Sequence, residues 1–183
     1  MKTFLLSLFT LLTGFTISAQ SWEAKAELPG AFGVHHPVTW GIGEYGYSVT
    51  GTDRDRQPTK SFFKYDSEAD SWDKMPDFPG SERGFSIGTV YDGKGYIGFG
   101  ASDSEYLGDI WSFDPVLETW DSITTCPCQP RIHPSFVIVD DRIFVGLGGG
   151  PSGNLKDWWE YDLKINEWIE HSNLPGLPRH HPF

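Results

Sequence analysis

Four tryptophans divide the chain into near-copies of one unit. Trp22, Trp72, Trp120 and Trp168 are separated by 50, 48 and 48 residues. Other residues keep fixed offsets from them. A proline follows each tryptophan by seven positions, at Pro29, Pro79, Pro127 and Pro175. An arginine follows three of them by eleven, at Arg83, Arg131 and Arg179, and an aspartate precedes three by six, at Asp66, Asp114 and Asp162. A period near 50 residues makes each unit one supersecondary module, which buries its apolar face only by stacking on a neighbour. The fourth copy is short: Phe183 comes fifteen residues after Trp168.

Each unit resolves into four strand-like runs. The first is His35 to Trp40, Phe85 to Tyr91 and Ser135 to Val139 in successive copies. Asp92-Gly93 then signals a type I′ hairpin, because both central positions favour φ > 0; Asp140-Asp141 is a weaker version and Gly41 to Glu44 a looser one. The second run, Tyr45 to Thr50, Gly95 to Phe99 and Arg142 to Leu147, stops at Gly51, Gly100 or Gly148. A polar loop follows, Thr52 to Lys60, Ser102 to Gly108 or Gly149 to Lys156. Aromatics alternate in the third run, at Phe63 and Tyr65, Trp111 and Phe113, Trp159 and Tyr161, which fits a strand with one buried face. The recurrent aspartate opens a turn, where its carboxylate can accept from the backbone two residues on. The fourth run starts near the tryptophan and ends at the proline, which cannot donate to a ladder. No helical periodicity is present after residue 20.

Four antiparallel strands per unit with glycine and aromatic punctuation make a propeller blade. The glycine ending the second strand, the Tyr/Phe-Asp ending the third, the tryptophan six residues later and the arginine after Pro-Gly together resemble kelch repeats, of the bacterial secreted and galactose oxidase-like kind. Asp157-Trp-Trp-Glu-Tyr-Asp162 and Trp72 to Arg83 carry the likeness most clearly, and it spans residues 21 to 183. The Gly-Gly pair is complete only at Gly148-Gly149; the other copies have Gly51-Thr52 and Gly100-Ala101. The resemblance implies an all-β propeller segment whose first strands line a central channel and whose fourth strands lie outermost. On that phasing, blades occupy about 33–76, 83–124 and 131–172, with partial units at 22–28 and 179–183. A closed ring needs roughly four to eight blades. Three are therefore expected to be a piece of a longer propeller, or one half of a three-plus-three assembly in which a second copy supplies the missing blades.

Lys2, the apolar run Phe4 to Ile17 and the small Ala19 before Gln20 read as a cleaved signal peptide over residues 1–19, so export to the periplasm or beyond is expected. No cysteine stands at the cut, which gives no lipoprotein anchor. The net charge of −11 argues against nucleic acid and anionic membranes as partners. Two cysteines, Cys126 and Cys128, exclude a disulfide framework; they are either inert or bridged to one another.

Three sets of residues are candidates for binding. Alignment by tryptophan offset puts His36, Phe85, His133 and His181 at equivalent positions, each histidine followed by a proline. On the propeller phasing they ring one mouth of the channel, where imidazoles can meet a sugar, a metal or a proton. Blade spacing is expected to hold them farther apart than one ion spans, so no metal site or cofactor is assigned. Arg83, Arg131 and Arg179 form a second set, suited to an anion or to ties between blades. Asp53, Asp55, Asp103 and Glu105, in the loops that vary most between copies, form a third; they offer oxygen ligands without the spacing of a calcium loop. No catalytic motif is visible, and the crosslinked Cys-Tyr copper set of galactose oxidase-like enzymes has no match. The expectation is an exported scaffold that binds a protein or glycan without catalysis. The alternative is part of a sugar-modifying propeller enzyme of the sialic acid mutarotase or galactose oxidase type.

Overall fold

A computed structural model describes residues 22–30 and 34–182. The expected signal segment and Phe183 lie outside the described residues. Strands β1 (Val38–Ile42), β2 (Tyr45–Val49), β3 (Phe62–Asp66) and β4 (Ser71–Lys74) form one antiparallel sheet in that order. Strands β5 (Ile87–Tyr91), β6 (Lys94–Gly98), β7 (Asp109–Asp114) and β8 (Thr119–Thr125) form the second. The third joins β9 (Ser135–Val139), β10 (Arg142–Gly146), β13 (Trp158–Asp162) and β14 (Glu167–His171). β11 (Gly149–Gly150) and β12 (Gly153–Asn154) make a small hairpin within the polar loop Gly149 to Lys156.

The turns form for the reasons visible in the chain. Asp92 and Gly93 take φ of 46° and 71°, and Asp140 and Asp141 take 49° and 61°. Asp66 Oδ1 accepts from the amides of Glu68 and Ala69, and Asp114 and Asp162 accept from the equivalent amides of their own turns. Gly51, Gly100 and Gly148, at φ of 98°, 98° and 90°, end the second strands. A Cβ on Gly100 would lie 2.6 Å from the Gly84 carbonyl, so conformation and space both demand glycine there.

The cores lie between sheets. Val38, Trp40, Tyr47, Val49, Phe62 and Phe78 of the first blade pack with Ile97 and Phe113 of the second. Phe99 and Ile110 of the second pack with Phe136, Ile143 and Val145 of the third. The marker tryptophans face the preceding unit. Trp120 packs edge-on against Phe62 and Phe78 at 5.4 and 5.0 Å, and Trp168 Nε1 donates to Thr124 Oγ1 at 3.0 Å. Trp72 Nε1 donates to the Ala26 carbonyl at 3.0 Å, so residues 22–28 lie against the first blade as β8 lies against the third. Cys126 and Cys128 are buried in the second core and bonded to each other.

Candidate functional site

The linkers that enter the innermost strands converge on one mouth of the sheet stack. His36, Phe85, His133 and His181 share a left-handed backbone, with φ of 50°, 60°, 46° and 50°. This repeated turn aims all four rings inward. His36 lies 4.9 Å from Phe85 and 5.2 Å from His133 between ring centroids, and His133 lies 3.9 Å from His181. One ring nitrogen from each histidine falls within 4.8 Å of the others. The expectation that blade spacing would hold these imidazoles well apart is thereby corrected. The four side chains meet at the centre of the mouth.

Burial tunes the cluster. His133 is 7% exposed, and neither of its ring nitrogens has a hydrogen-bond partner. Burial, with the neighbouring imidazoles of His181, His36 and His180, lowers its pKa to about 4. Burial, then His35 and His181, lowers that of His36. Such imidazoles are neutral at pH 7 and present lone pairs.

The arginines point elsewhere. Arg83 is 0% exposed; it forks onto Asp109 at 2.8 and 2.7 Å and donates to the carbonyls of Ser81 and Phe99. Arg131 is also 0% exposed and repeats this with Asp157 at 2.6 and 2.6 Å and with the carbonyls of Gln129 and Leu147. Trp111 and Trp159 Nε1 complete the carboxylate shells at 2.7 and 2.9 Å. These guanidinia are enclosed clamps with no surface for an anion. Burial works against the charge on Asp109 and Asp157, but the arginine forks outweigh it and hold both carboxyls below the usual range. Arg179 keeps the backbone links of its kin, its carbonyl accepting from Gly148 and its amide donating to Leu155, while its side chain is exposed and reaches Pro175 O at 3.4 Å.

The variable loops border the same mouth. A hollow of about 290 Å³ is lined by Phe85, Ala101 to Tyr106 and Ile132, which includes the exposed Asp103 and Glu105. A second, of about 250 Å³, is lined by His35, His36, Thr52, Arg56 and Phe85. Asp53 lies in neither; its carboxylate accepts from the amides of Asp55 and Gln57 and so holds its own loop. Asp55 is exposed. The four acidic candidates are not brought together. Among the described residues, His36, His133 and His181 are the one group of three or more side chains within reach of a common ion. Sequence reading missed Tyr106, Thr52 and Arg56 as lining residues; their place in the polar loops was the available signal.

Four-stranded antiparallel sheets, stacked face to face around a mouth of inner-strand linkers, define a segment of a β-propeller. Its repeat makes the chain a member of the kelch family: the KLHDC2/KLHL20/DRC7 Kelch-repeats domain matches residues 7–181. Among solved structures, that of YjhT is similar with a TM-score of 0.72 and 17% identity, over 86% of this chain and 57% of that one. The chain thus spans little more than half the length of YjhT, and at this identity the likeness concerns the fold alone. No curated protein sequence matches the chain.

Proposed function

We propose that this is an exported kelch-type scaffold that recognises a protein or an extracellular glycan at the histidine-bearing mouth and performs no chemistry. The carrying observation is the contrast between what repeats and what varies there. Turns and strand-ending glycines recur in all three blades, and the arginine clamp in two of them. The loops 52–60, 102–108 and 149–156 differ in length and charge, and two of them line the hollows beside Phe85. Variable loops on a rigid frame are where such scaffolds place recognition. Phe85 and Tyr106 supply aromatic faces, and Asp103 and Glu105 supply acceptors, a combination suited to sugar hydroxyls or to a cationic peptide.

Further blades complete the ring in this reading. Its support is the 57% coverage of the YjhT chain and the open face of the third blade, where Phe144 stacks on Trp158 beside exposed Val137 and Val139.

The test is a screen of glycan and peptide arrays with the purified chain and a rim variant, Tyr106→Ala/Glu105→Gln. Binding by the parent that the variant loses supports the reading. A ligand bound equally by both places recognition elsewhere.

A further inference from the structure

We propose that His36, His133 and His181 form a three-histidine site for a late first-row divalent cation, zinc above all, at the mouth of the channel. The proposal is independent of which partner the loops take. Three observations carry it.

The first is geometry. The three ring nitrogens already lie within 4.8 Å of one another. Zinc–imidazole bonds of about 2.0–2.1 Å place tetrahedral ligand atoms roughly 3.3 Å apart, so closing the set requires shifts of about an ångström. His36 and His181 are exposed, while His133 is buried and fixes the position of the site.

The second is the state of His133. Both its nitrogens are buried and have no hydrogen-bond partner. A buried polar group without a partner is costly, and a metal bond would satisfy one nitrogen. The residues around the ring suit a ligand. Phe85 packs edge-on against it at 5.3 Å and forms an apolar wall, while His36 and His181 cover it from the other linkers.

The third is Phe85 itself. It takes the same left-handed turn at the equivalent position of another copy. The scaffold therefore accepts phenylalanine there, and the three imidazoles are not a requirement of the turn. Imidazole nitrogen is a ligand favoured by zinc, copper and nickel. Three protein ligands leave a fourth position, open to water at the mouth. The neighbouring histidines are separable from the set: His180 Nδ1 pairs with Asn154 Oδ1 at 2.9 Å, and the backbone of His35 bridges Thr52.

The test titrates zinc into the metal-free full chain at pH 7.5, read by calorimetry, with cobalt substitution as a spectroscopic check. One zinc per chain is expected, with a cobalt spectrum of low coordination number. His133→Phe copies the residue natural to the second blade, so it should fold, and a melting curve in chelator confirms that. It should lower zinc affinity at least a hundredfold, and His36→Phe should do the same. His35→Ala and His180→Ala should bind as the parent does. Absence of zinc binding by the parent chain, or equal binding by folded His133→Phe, overturns the proposal.

Discussion

Arg83 and Arg131 show how one side chain can tie a linker to the blade it enters. Each closes a two-pronged ion pair with the residue 26 positions on, Asp109 or Asp157, and each also donates to the carbonyl that ends the intervening second strand. The first copy loses both partners together. Gly33 stands where the arginine would, and Ser61 where the aspartate would, its carbonyl bonded to Thr50 as that of Asp109 is to Phe99. Removing one member of a buried pair strands the other, so Asp157→Asn should cost about 3 kcal/mol in urea unfolding. The double change Arg131→Met/Asp157→Leu should cost less than that single change, because no charge is left buried. Equal losses would show that the clamp acts through charge rather than through the need to satisfy it.

The same residues set the acid response. Asp109 and Asp157 titrate lower in the folded chain than the ordinary 3.8, so their stabilisation is complete above that value and is lost as pH falls through the depressed range. Asp70, Asp114 and Asp141 shift the same way. His133 acts in a higher window. Unfolded, it takes up a proton below 6.5; folded, it stays neutral down to about 4, so stability falls as pH drops between those values. Urea midpoints measured against pH in chelator should decline in both windows, and His133→Phe should make the upper decline shallower, the lowered His36 keeping part of it, while leaving the lower one unchanged. The clamp arginines were legible as a recurrent offset, but their partners were not. Nothing in the sequence ties a position to one 26 residues away until the strands of the blade are paired.

Strands and their hairpins follow local chemistry and were legible to within about three residues in the first three runs of each blade, whereas the fourth strands end at Lys74, Thr125 and His171, short of the prolines expected to stop them. Period-two aromatics and Asp-Gly turns need no tertiary context. Two features at this scale were hidden. The β11–β12 hairpin lies in a run of glycines, where no side-chain pattern can announce a strand. Thr50, Phe99 and Leu147 read as the last strand residues, yet take φ of 59°, 61° and 58° just before the strand-ending glycines. Two left-handed residues in succession turn the chain out of β2, β6 and β10, and the recurrence marks an architectural bend. The inner glycines serve packing instead. Trp40 lies across β6, where a Cβ on Gly95 would sit 2.7 Å from its ring, and one on Gly88 would sit 2.3 Å from Val38. Gly95→Val should therefore force the first two blades apart and lower stability by about 1–3 kcal/mol. Gly93→Ala, in the exposed turn between the same strands, meets no atom within 4 Å and pays only for its φ of 71°. A larger loss from Gly93→Ala than from Gly95→Val would contradict this packing account.

At the scale of the molecule, each blade is held by its neighbours more than by a core of its own. Tyr91 of the second blade donates to Asp141 of the third at 2.8 Å, and Lys64 of the first reaches Glu118 of the second at 3.2 Å, outside the two aromatic cores. This fits a nearest-neighbour array. The period of the tryptophans revealed it, because a residue that packs on the preceding unit must recur once per unit. The site was legible only in part. Repeat alignment found the histidines, but their closeness depends on how steeply the inner linkers converge, which no offset records. The loops were marked by their variation, while the hollows they line appear only when Phe85 and the linkers stand beside them.

The central claim is that the histidine-bearing mouth is the face that meets a partner. Hydrogen exchange of the chain, with and without a ligand selected on the arrays, tests it directly. The account predicts slowed exchange in residues 52–60 and 101–107 and in the linkers around His36, Phe85 and His133, with no change at the opposite turns, residues 43–44, 92–93 and 140–141. Protection confined to those opposite turns, or to the outer strands β4, β8 and β14, would contradict it.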